Sequence, residues 1–558
     1  MKIHTVLVTL FVSAVFLFGC TTPQTVTISG HVVDEHGPVS GAVVRYQTTE
    51  YYAVTDAEGL FHLEVPVFED GTYNLTGWAQ GYFCVGPVEA SGGDEDVEIH
   101  LHAHTDVDNK DYAWLPSEYH PGQGEDQGCA ACHSREGTEL DFSLPVDEWR
   151  LDAHSQSASN PRFLTMYNGT DISGNKSPDT RYGYSRDYGS FPLRPDLSAP
   201  YYGPGYKLDF TATAGNCASC HTPAAAVDDA YGVDPNTLSG VAAEGVPCDF
   251  CHKVWDVILD PATGKPFPNM PGVLSFEFRR PPEGHQFFAG PFDDVAPGED
   301  TFSPIQTQSQ YCAPCHFGVF WDTVIYDSFG EWLESPYSDP DTGQTCQDCH
   351  MPHLGVTHFA RPDQGGLERA PTTIFSHQMP GALDKELLRN GLTMETSARR
   401  EGDAIVVQVD ITNDNTGHHI PTDSPLRHLI LLVAATSEDG KLLTQMDGPK
   451  LPEWAGTGDP AQGYYAGLPG EVYAKVLEEL WTEVSPTGAY WNPTRIISDN
   501  RIAAFETATS TYTFSAPDSG NAHIEVTLLF RRAFIELIDW KGWDAPDIEM
   551  ASQEIVVE

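Results

Sequence analysis

The chain has 558 residues and carries 30 basic against 80 acidic side chains, a formal net charge of −50. A field of this sign repels nucleic acid and anionic membrane surfaces, so nucleic-acid binding through a basic patch is excluded and cationic partners are favoured. Adaptation to a saline habitat would produce the same bias. The length predicts three or four domains with cores of their own.

Residues 1–20 have the pattern of an export signal. Lys2 precedes an apolar run from about Val6 to Phe18, which is too short to favour a permanent membrane span. The last four residues of the segment, Leu-Phe-Gly-Cys, resemble a bacterial lipobox, which implies that Cys20 is lipidated. An ordinary cleaved signal peptide is the alternative. We therefore expect an exported protein whose lipid anchor holds it to the outer membrane, on the periplasmic face or at the cell surface.

Residues 25–105 are predicted to form a small β-sandwich. Short strand patterns alternate with Gly- and Asp-rich turns, as at 34–38. The stretches SGHVVD at 29–34, PVSGA at 38–42 and TD-x-x-G-x-F at 55–61 resemble the carboxypeptidase-regulatory-like domain. This resemblance implies a non-catalytic sandwich, and no peptidase site is indicated.

Residues 106–384 contain five copies of Cys-x-x-Cys-His. The paired thiols are Cys129 and Cys132, Cys217 and Cys220, Cys248 and Cys251, Cys312 and Cys315, and Cys346 and Cys349, followed by His133, His221, His252, His316 and His350. Two thiols one helical turn apart can each add across a vinyl group of haem while the adjoining His ligates the iron. Zinc is the alternative, but it would not require His after every second Cys. The motifs therefore predict five covalently attached haem c groups.

The spacing and composition of this region predict how it is organised. It is rich in Pro, Gly, Tyr and Asp and has little amphipathic periodicity, so we expect a haem-packed, mainly α or irregular cytochrome domain. The short intervals between Cys217 and Cys248, and between Cys312 and Cys346, predict two close haem pairs with the first haem apart.

Residues 385–558 are predicted to form a C-terminal β-rich domain. Alternating apolar stretches at 405–411, 429–433, 512–514 and 524–528 indicate a second sandwich. A helical insertion is expected at about Glu471–Trp481.

Histidines outside the motifs decide whether the irons carry a second protein ligand. The contexts of His154, His285, His377 and His418, together with 311–322, 331–337 and 345–352, resemble the multihaem cytochrome c superfamily, which includes cytochrome c-554 and hydroxylamine oxidoreductase-like proteins. The resemblance implies that these four histidines are distal ligands. His120 is the fifth candidate; His353, His358 and His419 are the alternatives to it.

The same resemblance favours an electron carrier over an enzyme. All five motifs end in His, whereas the pentahaem nitrite reductases carry Lys in one, and no tyrosine cross-link signature is recognisable. We therefore expect a relay through bis-His haems between redox partner proteins, either other cytochromes or terminal reductases. The alternatives are a reductase or oxidase of a small nitrogen or sulfur oxyanion at one open-faced haem, and a subunit of an extracellular cytochrome filament or other homo-oligomer.

Overall fold

The structure, a computed structural model, describes residues 24–68, 71–120, 128–187, 189–296 and 298–558. The predicted export signal and Cys20 lie outside the described residues. The chain divides into two compact units, one reaching to His104 and including Asp293–Gly298, the other comprising Thr105–Phe292 and Glu299–Glu558. Within the described ranges, no helix is both long enough and apolar enough to cross a lipid bilayer.

The first unit is built from two sheets around a shared apolar core. Its strands are β1 (Thr25–Asp34), β2 (Gly37–Pro38), β3 (Val43–Tyr46), β4 (Tyr52–Val54), β5 (Leu60–Pro66), β6 (Thr72–Trp78), β7 (Val85–Ser91) and β8 (Val97–His100). One sheet has the order β2-β1-β5, with β8 parallel to β1, and the other has the order β4-β3-β6-β7. In β1 the buried Ile28 and Val32 recur at even spacing, because alternate side chains of a strand face the core.

The part of the second unit that holds the motifs contains only short elements. Its helices are α1 (Ala130–His133), α2 (Pro145–Trp149), α3 (Pro161–Asn168), α4 (Tyr206–Asp209), α5 (Ala218–His221), α6 (Pro223–Ala226), α7 (Cys248–Cys251), α8 (Ser328–Leu333) and α9 (Cys346–His350). Its strands are β9 (Tyr182–Ser185), β10 (Gly189–Pro192), β11 (Val254–Val257), β12 (Phe276–Phe278), β13 (Ala289–Gly290), β14 (Thr301–Phe302), β15 (Gly318–Phe320) and β16 (Thr323–Tyr326).

The expectation of a haem-packed, mainly α or irregular region is met only in part. Helices of this length are unstable in isolation, so tertiary contacts must hold them. The strands form two-stranded ribbons, and the protein as a whole is multidomain and β-rich. Frequent Pro and Gly residues explain the difference, since they interrupt longer helices and favour turns between short strands.

Two further sheets form the C-terminal part of the second unit. The elements are α10 (Lys385–Asn390), β17 (Thr393–Glu401), β18 (Ala404–Thr412), β19 (His428–Ser437), β20 (Gln445–Asp447), β21 (Gly470–Glu479), β22 (Thr494–Asp499), β23 (Thr507–Ser515), β24 (Ala522–Arg531), α11 (Ile535–Lys541) and β25 (Ile548–Val557). The sheet orders are β17-β18-β23-β20 and β22-β21-β19-β24-β25, and apolar residues of both sheets meet in one core.

The predicted helix at Glu471–Trp481 is wrong, because this stretch lies mainly in β21. The strand pairs with β19 on one side and β22 on the other, and most of its side chains are buried. A strand buried on both faces has no polar alternation, so its apolar run can be mistaken for a helix.

Hydrogen bonds join the C-terminal sheets to the motif region within the second unit. Trp491 Nε1 donates to Asp209 Oδ2 at 2.7 Å, and Trp321 Nε1 donates to the main-chain carbonyl of Trp491 at 2.9 Å. The fully buried Lys541 ammonium donates to the carbonyls of Thr165 and Thr170, each at 3.0 Å. These contacts explain why the two parts form one compact unit.

We expect Leu431→Ala to lower the free energy of unfolding by about 2–5 kcal/mol, because the substitution leaves a cavity in the core. Leu431 is 0% exposed in β19 and lies between Glu471 and Leu528 of the neighbouring strands. Urea unfolding measures the effect. Leu442→Ala, at a side chain that is 72% exposed, is the matched control. Equal effects of the two substitutions would contradict the assignment of this core.

Candidate functional site

Three of the motif histidines are oriented by main-chain carbonyl groups from other parts of the sequence. The Nδ1 atom of His133 lies 2.8 Å from the Phe359 carbonyl oxygen, and those of His252 and His350 lie 2.8 Å and 2.7 Å from carbonyl oxygens of Ala289 and Pro380. A carbonyl oxygen can only accept, so Nδ1 must donate and carry the proton. The lone pair of Nε2 is then available to a metal.

Burial keeps these imidazoles neutral, which is the state that binds a metal. It lowers the pKa of His221 to about 4 and that of His377 to about 3. Burial also lowers the pKa of His133, His252 and His316, and of His350 and His418.

Three motif histidines each face a histidine from outside the motifs. The ring centres of His252 and His377 are 6.5 Å apart. The other two distances are 6.3 Å, between His316 and His154 and between His350 and His418. With a metal–nitrogen bond of about 2.0–2.1 Å and about 1.1 Å from nitrogen to ring centre, two imidazoles on opposite sides of one ion have centres about 6.3 Å apart. Each pair therefore has the spacing of two axial ligands.

The non-motif members of these pairs are held by neighbouring polar groups. His154 Nδ1 lies 2.8 Å from a carboxylate oxygen of the buried Asp152, and His418 Nδ1 lies 3.0 Å from the main-chain oxygen of His419. The main-chain N–H of His377 donates to the buried Glu148 at 2.6 Å. The first two contacts fix the orientation of the imidazole ring, whereas the third fixes the main chain that carries His377.

The remaining predicted ligands are placed differently. His120 Nε2 contacts the Glu244 carboxylate, while His285 is 53% exposed and its Nδ1 lies 2.8 Å from Glu299. Within the described ranges, neither ring is in contact with a motif histidine. In the structure, three of the five predicted distal histidines thus lie opposite motif histidines. Among the described residues, the histidines of the first and second motifs have no such partner.

Aromatic rings, which the sequence reasoning did not identify, lie beside the histidines of those two motifs. Phe163 of α3 stacks on His221 with ring centres 3.8 Å apart and planes inclined by 3°. Phe359 lies parallel to His133 with ring centres 6.1 Å apart. No sequence pattern marked either phenylalanine, since the contacts join segments that are far apart in the chain.

Contacts between thiols show which motifs are neighbours. Hydrogen bonding to the Cys248 thiol raises the pKa of Cys129. A hydrogen bond with the Cys346 thiol likewise raises the pKa of Cys312. A hydrogen bond with the Cys220 thiol raises the pKa of Cys315. The thiols thus bring the third motif to the first and both the second and the fifth to the fourth, while the predicted pairing of the haems stays a prediction. Sequence interval does not determine adjacency when loops fold back.

The donor set fits haem c at the motifs. Cys-x-x-Cys-His places the thiols one turn apart, on or next to short helices such as α5, α7 and α9. Among the cysteines that the structure describes, none forms a disulfide. A facing pair of imidazoles supplies two protein donors, the number that a six-coordinate haem iron takes from the chain.

A buried carboxylate behind His418 comes from 331–337, a stretch that carries the resemblance, but the sequence did not predict its contacts. Glu331 of α8 accepts the main-chain N–H of His419 at 3.2 Å and the hydroxyl of Thr422, and pairs with Arg501 at 2.6 Å. The side chains of Glu331 and Arg501 are 5% and 6% exposed. This network joins the motif region to the loop that carries His418.

Comparison with solved structures supports the multihaem fold. The structure is similar to a penta-heme cytochrome c552 from Thermochromatium tepidum, with a TM-score of 0.50 and 18% identity over 77% of this chain and 97% of that one. A cohesin–X-dockerin complex from Acetivibrio cellulolyticus matches 14% of this chain and 58% of the other at 22% identity, but its TM-score of 0.13 supports no argument. No family model and no curated protein matches the sequence. Over most of its length, the chain therefore shares the fold of a multihaem cytochrome.

We expect Glu331→Gln to lower the free energy of unfolding by about 3 kcal/mol, because it removes one partner of a buried ion pair. This is the lower end of the range of about 3–5 kcal/mol for such a loss, since Asp499 still faces Arg501. Urea unfolding measures the loss. Glu334→Gln is the matched control, since that side chain is 76% exposed and its pair with Lys265 should contribute about 1 kcal/mol or less. A control effect as large as that of Glu331→Gln would contradict the structural role of the buried network.

Proposed function

We propose that the chain carries five haem c groups, one at each motif, and that it relays electrons between redox partners. The observation that carries this proposal is the set of three opposed histidine pairs at the spacing of axial ligands. The shared fold with a pentahaem cytochrome supports it. The haem irons supply one-electron redox chemistry, for which bis-His ligation is suited.

In this proposal the residues of the chain position the redox centres and keep substrates from three of the irons. Each of His154, His377 and His418 would bind the same iron as the motif histidine that it faces, and the two bound imidazoles would exclude a small molecule. Where Nδ1 has a carbonyl or carboxylate partner, as in His154 and His418, that contact fixes the ring and increases its basicity as a ligand. Because the imidazole ligands would be held rigidly, the surroundings of each iron would change little when it gains or loses an electron.

The thiol contacts support a branched order of the haems. The first would neighbour the third and the fourth would neighbour the fifth, with the second beside the fourth. Tyr311, which precedes Cys312, donates its hydroxyl to the main-chain carbonyl of Cys251 at 2.9 Å, so the third and fourth motifs are also adjacent. Such adjacency would give electrons a continuous route through all five motifs.

We further propose that the protein is an exported lipoprotein of the outer membrane whose partners are cytochromes or terminal reductases. The lipobox-like segment ending in Cys20 supports the anchor, and the net charge of −50 favours partners with a basic docking face. Haem attachment to this motif outside the bacterial cytoplasm is consistent with export.

We expect His418→Ala and His377→Ala each to convert one haem from a low-spin to a high-spin ferric state, because each removes one axial ligand. Electron paramagnetic resonance and absorption spectra of the holoprotein measure the change, and the pyridine haemochrome assay should still give five haems per chain. His523→Ala, on the exposed side of β24, is the control. Unchanged spectra for both ligand variants, or a protein without covalent haem, would refute the proposed function.

We expect Cys20→Ser to release the protein from the membrane fraction, because the substitution removes the thiol that carries the lipid. Fractionation of cells and labelling with a radioactive fatty acid measure this, with Thr21→Ser as the control. Retention of label in the Cys20 variant would disprove the anchor without affecting the haem assignment.

A further inference from the structure

Three arginines lie around one apolar cluster in the second unit. The cluster includes Met166, Leu426, Ala533 and Trp543. Arg162 lies one turn before Met166 on α3, Arg427 follows Leu426, and Arg532 precedes Ala533. Their positions in this shared core bring together side chains from three distant parts of the sequence.

Two of these guanidinium groups are incompletely satisfied by the protein. Arg162 Nη2 and Arg532 Nε are buried and have no hydrogen-bond acceptor among the described residues. Arg162 lies over the Trp543 ring at 5.7 Å, and Arg532 Nη2 donates to the Asp544 carbonyl at 3.2 Å. Since buried charged donors normally find acceptors, the unpaired atoms indicate a ligand that the protein alone does not supply.

The electrostatics of the cluster favour an anion. Burial, reinforced by the charges of Arg532 and Arg427, lowers the pKa of Arg162 to about 10. Burial lowers the pKa of Arg532 as well, and Arg427 adds to that effect. Arg427 has its own carboxylate, Asp423, at 3.5 Å, whereas Arg162 and Arg532 have no ion pair with a carboxylate among the described residues and are acted on only by the exposed Asp544. The three guanidinium groups therefore form a local excess of positive charge in a chain whose net charge is −50, and such an excess attracts anions.

The cluster lies next to the second motif. Phe163, the residue after Arg162, stacks on His221 at 3.8 Å. Asp423, the partner of Arg427, is close enough to His221 to raise its pKa against the larger effect of burial. The second motif is also one of the two whose histidine is not opposed by another histidine in the described chain.

We propose that Arg162, Arg427 and Arg532 form a binding site for an oxyanion beside the second motif. Guanidinium forks bind carboxylate and other oxyanions through paired N–H donors, which would satisfy Arg162 Nη2 and Arg532 Nε. The oxyanion is either a free small ion or the propionate of a haem attached at Cys217 and Cys220. Only the second source rests on the proposed function.

The test titrates the holoprotein with sodium sulfate in chloride-free buffer by isothermal titration calorimetry and compares Arg162→Gln and Arg532→Gln with wild type. Arg186→Gln is the control, because that side chain is 90% exposed and pairs with the adjacent Asp187. Thermal unfolding verifies that each variant is folded, and Arg162→Lys retains the charge without the fork. Redox titration and the pyridine haemochrome assay are made on the same samples.

A free-anion site predicts saturable sulfate binding that weakens about tenfold or more in both glutamine variants and is unchanged in the control. A propionate site predicts no sulfate binding, an unchanged haem content and a lower midpoint potential for one haem in the glutamine variants, because a positive charge is removed. Absence of both effects would overturn the proposal. A chain without haem that still binds sulfate through these arginines would refute the proposed function and retain the anion site.

Discussion

Opposed pairs of imidazoles are the constraint on which the second unit depends. For two rings to present Nε2 to a common point, each ring must be held in one orientation, and a hydrogen bond at Nδ1 does this for several of them. Loops that follow the motifs supply carbonyl oxygens for this purpose, as Ala289 does for His252 and Pro380 for His350. The irregular chain between the short helices therefore has a defined role, because it orients the rings.

The C-terminal sheets contribute directly to this arrangement. His418 comes from a loop between β18 and β19 and faces His350 of α9. The buried Glu331–Arg501 pair and the Lys541 ammonium join the same two parts of the unit. If His418 ligates a metal, folding of the C-terminal sheets and cofactor loading are thermodynamically coupled, since the ligand pair is complete only when both parts are folded.

Several basic side chains are used inside the protein rather than on its surface. Lys541, Lys475 and Arg531 are 0%, 3% and 1% exposed, and each donates to main-chain carbonyls. Carboxylates such as Glu148 and Asp249 are buried as well, so the surface keeps the acidic balance of the 30 basic and 80 acidic residues. Such a surface favours docking of basic partners and leaves the cluster of Arg162, Arg427 and Arg532 as a local exception.

The sequence by itself determined the motifs, since two thiols and a histidine at fixed local spacing do not depend on tertiary structure. It also indicated the strands whose side chains alternate, as in β1 and β18, because half-buried strands show a period of two. Only the tertiary structure decided which histidine faces which, that Cys248 lies against Cys129, and that 471–481 lies mainly in a strand rather than a helix. These features depend on contacts between segments far apart in the chain, and burial on both faces of β21 removes the polar alternation by which a strand can be recognised.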